Sequence, residues 1–541
     1  MADIDDLPVP DCDVLVIGSG AAGMTAALTA ARNGARVILA ERALTVGGTS
    51  AVSGGIAWIP SHDKAGDDPL PVEDALTYLH ALSNGTMDEE LIRTFVTTGQ
   101  AMIDFLEGAS DWRAEPATGF PDYKPEHPGG RSAGGRSLSP LPYDTRVLGE
   151  WAERITAFPE DFSNVGFDAE TRARLSSAAL DLENTAVAGQ ALIARLLKGL
   201  LDAGVGLRTG WRGRSLLQHD GRVVGARFDV EGEAREIVAE RGVVLASGGF
   251  EWDAELVTAF LRGPMRGPVS PPNNTGDALR MAQAVGASLG AMQEAWWVPV
   301  IKIPGDTIDG RPRSRSVRLE RTRPRSIIVN ADGRRFVNEA ADYNSMVAAF
   351  QYLDVQTFTY RNNPGWIVFD QTHLDAYGFL GVPAGGDAPE WFHGSASLEE
   401  LAERCGIDAA GLVSTVERWN RHVAALEDPD FGRGSSAYDG YWGDANASTV
   451  PGRTLGPVDT PPFYAVPVEA GAMGTKGGPR TDADARVVHV EGHVVEGLYA
   501  AGNAMASVMG MAYGGAGGTL GPGMVFGFRA GHHAATGRSA T

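Results

Sequence analysis

Short apolar runs separated by glycine-rich turns dominate both ends of the chain. Residues 14–17 (VLVI) form a β-branched run that is typical of a buried parallel strand, and residues 37–39 (VIL) form a second. The alanine-rich stretch between them, which ends at Asn33, predicts a helix. Later runs at 243–246 (VVLA) and 498–501 (LYAA) predict further strands. The pattern predicts an α/β fold with a mainly parallel sheet.

The turn after the first predicted strand carries a dinucleotide-binding fingerprint. Residues 18–23 read GSGAAG, which fits the spacing GxGxxG, and Glu41 ends the second strand about 20 residues further on. In this motif Gly18 permits the tight turn, Gly20 lets the backbone approach a pyrophosphate, and Gly23 lets helix and strand pack closely. The helix N-terminus offers N–H groups to the pyrophosphate, and Glu41 would accept hydrogen bonds from the ribose. The complete unit predicts a bound dinucleotide.

Further small-residue turns discriminate between the candidate dinucleotides. The loop 47–55 (GGTSAVSGG) follows the second strand and can lie against a flat ring system, and later strands run into the turns 247–250 (SGGF) and 502–503 (GN). Three ligand-facing turns from distant parts of one chain suit an extended dinucleotide at a sheet edge. The sequence has no second GxGxxG unit for a separate nicotinamide domain. We therefore expect FAD rather than NAD.

Composition narrows the class of protein. The 541 residues allow two or three domains, and 70 glycines are about twice the usual share. The net charge of −22 argues against binding to nucleic acid or to an anionic membrane surface. Two cysteines, Cys12 and Cys405, are too few for a disulfide framework, a cysteine-rich zinc site or an iron–sulfur cluster, so no metal is expected. The sequence shows neither a long apolar run nor a basic leader, which predicts a cytoplasmic protein.

Together these motifs resemble a known flavoprotein family. The opening DVLVIGSGAAG…ER…GGTSAVSGG, the turn ASGGF and the ending GLYAAGNA…GG are similar to the fumarate reductase and succinate dehydrogenase flavoproteins, and within them to the FAD-dependent 3-ketosteroid dehydrogenases. The resemblance implies a Rossmann-like FAD-binding domain built from both chain ends, residues 1–290 and 456–541. An α+β cap domain, residues 291–455, would interrupt it and face the substrate. The implied partners are a small apolar ketone and an external electron acceptor.

The resemblance also assigns cofactor-binding positions. Asp277 ends the segment NTGD, which is similar to the family's turn before a helix near the flavin. The helix predicted at 520–530 would direct its N-terminus at the flavin N1–C2=O edge and stabilise the charge of reduced flavin. The expected FAD contacts are Gly18, Gly20, Ala21, Ala22, Gly23, Glu41, Arg42, Gly48, Thr49, Ser50, Gly54, Gly55, Ala246, Gly248, Asp277, Gly502, Asn503, Gly518 and Leu520.

One tyrosine near the C-terminus discriminates between substrates within the family. In the segment 510–522 (GMAYGGAGGTLGP), Tyr513 stands where fumarate reductases carry an arginine that clamps a substrate carboxylate. A neutral phenol cannot replace that arginine, which argues against a dicarboxylate substrate. In the 3-ketosteroid dehydrogenases the matching tyrosine hydroxyl and a glycine N–H bind the C3 carbonyl, a role that passes to Tyr513 and Gly517. Two such donors would stabilise enolate charge, as in an oxyanion hole.

Two further tyrosines match the proton-handling residues of the same enzymes. The segment 334–343 (RRFVNEAADY) resembles the motif whose tyrosine removes the C2 proton, which assigns the base to Tyr343. A phenol has a pKa near 10 in water, so this base needs assistance. The family supplies a helper tyrosine in a motif like YPDY. Here residues 120–123 read FPDY, so Tyr123 matches the helper and Phe120 replaces a hydroxyl. The implied reaction dehydrogenates the C1–C2 bond, with hydride transfer from C1 to flavin N5.

The three tyrosines leave related functions open. A dehydrogenase acting at the 4,5-bond of a 3-ketosteroid, or a reductase of another neutral enone, would share the carbonyl clamp. A flavin-binding redox sensor without turnover is an alternative of a different class. Tyr123 beside Tyr343 favours the 1,2-reaction, and three phenols in this arrangement argue against a sensor.

Three local features complete the sequence-based expectations. Residues 113–170 are rich in Pro, Gly and Arg and show no clear period, which predicts a long loop over the active site. Residues 326–329 (SIIV) and 334–337 (RRFV), joined by a turn containing ADG, predict a β-hairpin. Trp296 and Trp297 could line an apolar pocket, although aromatic residues at this spacing more often belong to the core.

Overall fold

The larger sheet joins the two ends of the chain. The computed structural model describes residues 9–157 and 184–540. The central strand Cys12–Ile17 is buried along its whole length and pairs in parallel with Val37–Glu41 and Glu233–Leu245. The late strand Val494–Ala500 pairs in parallel with the other edge of Glu233–Leu245. In spatial order the main path is Arg486–Val488, Val494–Ala500, Glu233–Leu245, Cys12–Ile17, Val37–Glu41 and Gly206–Thr209. Arg222–Val230 pairs antiparallel with Glu233–Leu245, and Arg212–His219 pairs antiparallel with Arg222–Val230.

A second, antiparallel-rich sheet has Phe463–Thr475 as its central strand. This strand pairs with Ala295–Ile308 on one side and with Gly365–Asp370 on the other. The spatial order is Arg311–Ser316, Ala295–Ile308, Phe463–Thr475, Gly365–Asp370 and Ser326–Val329, and the short strands Gly267–Pro268 and His393–Ser395 also pair with the central one. Buried residues such as Trp297 and Phe369 form a core on this sheet that is separate from the core of the larger sheet.

Four small sheets complete the described strands. Three are two-stranded, and one has three strands. Their strands are Leu289–Gly290 with Gly478–Pro479, Leu353–Asp354 with Thr359–Tyr360, Tyr143–Asp144 with Thr185–Ala186, and Ala57–Trp58 with Gly134–Pro140 and Ala114–Thr118.

The helices pack on the faces of the sheets. They are Ala21–Arg32, Gly48–Ala51, Val72–Ser83, Glu89–Ala109, Ala188–Asp202, Ala254–Phe260, Asp277–Ala284, Leu319–Thr322, Tyr343–Phe350, Gln371–Tyr377, Leu398–Cys405, Ala409–Ala424, Ala437–Tyr441, Val450–Thr454 and Leu520–Thr536, with 3₁₀ turns at Thr145–Arg154 and Gly502–Ala504. Glycines let the last helix approach the first closely, because a Cβ at Gly527 would lie 2.4 Å from the Ala22 carbonyl oxygen. Across the described ranges, each helix is too short or too polar to cross a lipid bilayer.

The α/β fold class is confirmed, but two local predictions are wrong. The strand Ser326–Val329 pairs with Gly365–Asp370 instead of forming a hairpin, and a single bridge joins Val329 to Arg335. Residues 113–157 are not an irregular loop, because the strands Ala114–Thr118 and Gly134–Pro140 pair with each other. The remainder of that predicted loop, residues 158–170, lies outside the described residues.

The sheets do not follow the expected domain boundaries. Residues 456–541 were expected to return to the FAD-binding domain, yet Phe463–Thr475 is the central strand of the second sheet. The chain rejoins the larger sheet only at Arg486–Val488. Gly267–Pro268, from the first predicted segment, also pairs with the second sheet. The division into domains 1–290, 291–455 and 456–541 therefore stays a prediction. In the sheets, the chain first pairs with the second sheet at Gly267–Pro268 and is back in the larger sheet at Arg486–Val488.

Candidate active site

A cavity of about 410 Å³ opens at the carboxyl ends of the central parallel strands. Residues that follow these strands, including Gly18, Glu41, Ala246 and Gly502, line it. The same cavity is also lined by Phe120, by the three predicted catalytic tyrosines and by residues of the second sheet. Ligands of open parallel sheets bind at this edge, so the topology alone selects the cavity as a candidate site.

The glycine turn forms one wall of the cavity. Gly18 has a φ of +110°, and a Cβ there would lie 2.4 Å from the Ala246 carbonyl oxygen, so only glycine fits. Gly20 immediately precedes the helix Ala21–Arg32, and the Ala21 N–H donates to Ser50 Oγ at 3.0 Å. The turn therefore presents bare backbone and a helix N-terminus to the cavity, the arrangement that accommodates a pyrophosphate.

Acidic and basic side chains at the end of the second strand are fixed by short hydrogen bonds. Glu41 accepts from the N–H and the hydroxyl of Ser19 at 2.9 and 2.6 Å, and from the Ala43 N–H at 2.8 Å. Asp277 pairs with Arg212 at 2.7 Å and with Arg42 at 3.4 Å. Both carboxylates line the cavity. Their fixed positions suit the recognition of the adenosine part of a dinucleotide.

Most of the expected cofactor contacts line this cavity. They are Gly18, Gly20, Ala21, Ala22, Glu41, Arg42, Gly48, Thr49, Ser50, Gly54, Gly55, Ala246, Gly248, Asp277, Gly502, Asn503 and Leu520. Gly23 and Gly518 do not line it. A Cβ at Gly23 would lie 2.0 Å from the Gly18 carbonyl oxygen, and one at Gly518 would lie 3.0 Å from the Tyr513 ring. These two glycines therefore act through close packing. The bare backbone, the helix N-terminus and the extended cavity fit FAD.

The three predicted catalytic tyrosines meet at the cavity wall. Tyr123 donates its hydroxyl proton to Tyr343 Oη at 2.6 Å, and their rings are 5.3 Å apart. The Tyr513 ring lies 4.9 Å from that of Tyr123 and 5.7 Å from that of Tyr343. All three side chains are buried. The cluster thus combines a paired phenol with a third phenol at the cavity wall.

Two neighbouring residues hold Tyr123 and Tyr343 together. Lys124 forms an ion pair with Asp342 at 2.7 Å, so each tyrosine has a sequence neighbour in the pair. Asp342 also caps the helix Tyr343–Phe350 by accepting from the Ser345 N–H. The Tyr123 N–H donates to the Gly514 carbonyl, which connects the pair to the segment that carries Tyr513. No local sequence pattern predicts the contact between Tyr123 and Gly514.

Burial separates the acidities of the three phenols. Desolvation raises the pKa of Tyr343 to about 12, while hydrogen bonds to Tyr123 and Tyr513 and the charge of Arg318 act in the opposite direction. Desolvation also holds the pKa of Tyr123 and that of Tyr513 well above their ordinary value. Tyr343 is therefore the phenol that ionises most readily, as a base requires.

The Tyr513 hydroxyl has a partner that sequence reasoning missed. It lies 3.0 Å from Thr519 Oγ1, and Thr519 itself lines the cavity just before the helix Leu520–Thr536. Gly517 lines the same wall with a φ of +95°. Among the described residues, the Gly517 N–H has no hydrogen-bond partner. Tyr513 and Gly517 can therefore both direct a donor at a ligand oxygen.

Some aromatic residues around the three tyrosines pack against them, and others line the cavity. Trp296 is buried and packs edge-to-face on Tyr513 at 4.8 Å, but neither it nor Trp297 lines the cavity. Phe120 lines the cavity, and its ring stacks on Tyr441 at 4.2 Å. Trp442 also lines the cavity, and no sequence pattern predicts its place there.

Comparisons with known proteins agree with this geometry. The sequence matches the family model of the FAD binding domain over residues 13–520. It is 41% identical to 4-oxocyclohexanecarboxylate 2-dehydrogenase from Sinomonas cyclohexanicum, with 96% of this chain and 92% of that protein covered. It is 36% identical to 3-oxosteroid 1-dehydrogenase from Mycolicibacterium smegmatis, with 96% of each covered.

A solved structure extends the similarity to the whole fold. The crystal structure of 3-ketosteroid Δ1-dehydrogenase from Sterolibacterium denitrificans, in complex with 1,4-androstadiene-3,17-dione, superposes with a TM-score of 0.89 at 34% identity. The superposition covers 97% of this chain and 100% of that one. The resemblance to the 3-ketosteroid dehydrogenases is thereby confirmed, as is FAD as the cofactor. The chain belongs to the FAD-binding-domain family and is an FAD-dependent oxidoreductase similar to the 3-oxosteroid 1-dehydrogenases.

Proposed function

We propose that this protein dehydrogenates the carbon–carbon bond beside a ring ketone, which in a 3-ketosteroid is the C1–C2 bond. The observation that carries the proposal is the 2.6 Å hydrogen bond from Tyr123 to Tyr343, with Tyr513 beside both in the cavity that the dinucleotide turn also lines. When bound, FAD supplies the acceptor for the hydride that leaves the substrate. The protein groups hold the carbonyl and take the proton.

Tyr513 and Gly517 hold the ketone oxygen. The phenol O–H and the main-chain N–H both donate to this oxygen, so charge that develops on it is stabilised. Such stabilisation acidifies the adjacent carbon. The Thr519 hydroxyl, 3.0 Å from Tyr513 Oη, fixes the direction of the phenol. The neutral pair suits a ketone and offers no cation to a carboxylate at this position.

Tyr343 takes the proton from the carbon next to the ketone. Its phenolate form is the base, and the Tyr123 hydroxyl stabilises that form by donating to it. Because the pKa of Tyr343 is raised to about 12, turnover rises with pH through the neutral and mildly alkaline range. The proton moves from the substrate carbon to Tyr343 Oη, while the hydride leaves the neighbouring carbon.

The relatives suggest two substrate classes for this reaction. One is a 3-ketosteroid: the 36% identical relative is named a 3-oxosteroid 1-dehydrogenase, and the superposed structure is in complex with 1,4-androstadiene-3,17-dione. The second is a single-ring ketone such as 4-oxocyclohexanecarboxylate, named for the 41% identical relative. Both classes place a ring carbonyl beside a CH–CH bond, so the three tyrosines can serve either one.

Anaerobic reduction of the bound flavin tests the reaction. We expect androst-4-ene-3,17-dione or 4-oxocyclohexanecarboxylate to bleach the flavin absorbance, and the product to carry a new double bond beside the ketone. Tyr343→Phe is expected to retain flavin and lose nearly all of this activity. Tyr438→Phe is the matched control, because Tyr438 packs 5.0 Å from Tyr123 without bonding to Tyr343. If neither ketone bleaches the flavin, or if Tyr343→Phe bleaches as fast as the wild type, the proposal fails.

A further inference from the structure

Tyr513 lies in a segment without regular secondary structure. Between Gly502–Ala504 and Leu520–Thr536, a stretch that the structure describes completely, the chain forms turns only. The peptide groups around Tyr513 therefore need partners outside a ladder or a helix. Three buried side chains from other segments donate to the carbonyls on either side of it: Asn344 to Met511 at 3.3 Å, Lys476 to Ala512 at 2.7 Å, and Tyr78 to Gly514 at 2.8 Å. The backbone of Tyr513 is thus held by side chains.

Lys476 is the charged member of these three donors, and it contacts the surroundings of Tyr513 twice. Its side chain is fully buried, and Nζ lies 4.3 Å from the centroid of the Trp296 ring. Trp296 in turn packs edge-to-face on Tyr513 at 4.8 Å. Lys476 therefore holds both the peptide that precedes Tyr513 and the ring that supports its phenol, the second through a cation–π contact.

The amine of Lys476 is buried without a carboxylate partner. Its side-chain contacts among the described residues are the Ala512 carbonyl and the Trp296 ring, and no carboxylate forms an ion pair with it. Burying such a group costs stability that a methionine of similar length would not cost. A lysine here therefore indicates a task that needs an N–H donor. The neutral amine still carries N–H groups, so the hydrogen bond to Ala512 survives deprotonation.

We propose that Lys476 is a positioning residue for the carbonyl donor Tyr513. The inference rests on the proposed function, in which the Tyr513 hydroxyl and the Gly517 N–H hold the ketone oxygen. Donors of this kind act on charge that develops in the transition state, so they need a fixed direction. Without Lys476 the Ala512 peptide and the Trp296 ring shift, and the phenol meets the ketone oxygen in a poorer geometry. Loss of Lys476 should therefore lower kcat much more than it changes KM.

A double-mutant cycle in the holoenzyme tests this role. With androst-4-ene-3,17-dione or 4-oxocyclohexanecarboxylate, whichever bleaches the flavin faster, we expect Lys476→Met to lower kcat about 10- to 100-fold, a part of what a lost donor costs. In the Tyr513→Phe background the same substitution should cost less than about threefold, because the hydroxyl that Lys476 positions is already absent. Lys302→Met is the control, since Lys302 is exposed, lies on the same strand as Trp296 and does not line the cavity.

Crystal structures of the wild type and Lys476→Met give a readout that does not depend on turnover. We expect Tyr513 Oη to move away from Thr519 Oγ1, which lies 3.0 Å from it in the wild type, while the sheets stay in place.

The two readouts separate positioning from general damage. An unmoved Tyr513, an unchanged kcat, or a loss of kcat that is equally large in Tyr513→Phe overturns the proposal. The flavin-to-protein ratio shows that each variant is loaded. If Lys476→Met does not fold, Lys476→Gln takes its place, because its side chain is polar but one bond shorter. Failure of the proposed function shows instead as an unbleached flavin in the wild type, and the crystal structures then decide the role of Lys476.

Discussion

Removal of the Tyr123 hydroxyl is the sharpest perturbation of the proposed base. In Tyr123→Phe the ring stays in its buried position, while the 2.6 Å donor to Tyr343 is lost. That hydrogen bond favours the Tyr343 phenolate, so its loss raises the pKa of Tyr343 further. Hydrogen bonds to charged groups contribute about 1.5–3 kcal/mol, and each 1.36 kcal/mol is a tenfold change in rate. We therefore expect kcat/KM at neutral pH to fall about 10- to 150-fold.

The control variant Tyr438→Phe distinguishes this effect from general damage to the tyrosine cluster. Below the pKa of Tyr343 the phenolate fraction rises tenfold per pH unit, so the wild type and Tyr123→Phe should give parallel profiles, with the variant displaced to higher pH. Tyr438→Phe removes another hydroxyl near the cluster, and Tyr438 contributes to raising the pKa of Tyr343, so this control should not slow turnover. A Tyr123→Phe enzyme with normal flavin content and an undisplaced profile would refute the role of the hydrogen bond.

Three further perturbations test the cofactor turn, the carbonyl donor and a buried cation. Gly18→Ala should lose bound flavin, because its Cβ would lie 2.4 Å from the Ala246 carbonyl oxygen. Gly108→Ala is the control and should keep the flavin, since a Cβ at Gly108 would meet open space. The flavin-to-protein ratio measures both. Tyr513→Phe should bind flavin normally and lose about 10²–10³-fold in kcat, measured in steady state; a loss below fivefold contradicts the carbonyl role. Burial lowers the pKa of Lys476 from 10.5 to about 7, so the unfolded chain binds more protons between these pH values. The free energy of unfolding should therefore rise with pH across that window, by up to about 1.4 kcal/mol per pH unit relative to the Lys476→Met variant. Urea titrations at several pH values measure this, and identical pH profiles of the wild type and Lys476→Met would contradict it.

The parts of the site that depend on local sequence could be predicted. The GSGAAG turn specifies its own conformation, because Gly18 needs a positive φ and Gly23 needs contact with the Gly18 carbonyl. The helix predicted at 520–530 is present as Leu520–Thr536 and begins at the cavity. The tyrosines were found through motifs that resemble a family, and the structure brings the three together. Their catalytic roles stay predictions.

The parts that depend on contacts between distant segments could not be predicted. The sequence predicts Arg335 in a hairpin strand, but in the structure a single bridge joins it to Val329. Its guanidinium pairs with Glu339 and with Asp428, which lies far along the chain. The Lys124–Asp342 ion pair and the position of Arg318 in the cavity likewise arise only when separate segments meet. The sequence around a charged residue does not predict which residue it will pair with. Periodicity therefore located the elements better than it located the side chains between them.

The parallel pairing of Val494–Ala500 with Glu233–Leu245 has a consequence for biosynthesis. Gly502 and Leu520 complete the wall that faces Gly20, yet they leave the ribosome long after the glycine turn has emerged. A nascent chain that stops before these residues lacks part of the cavity wall, so we expect it not to retain FAD. FAD loading must therefore follow the synthesis of the segment from Gly502 to Leu520, and a stop codon placed before Gly502 should yield a colourless polypeptide.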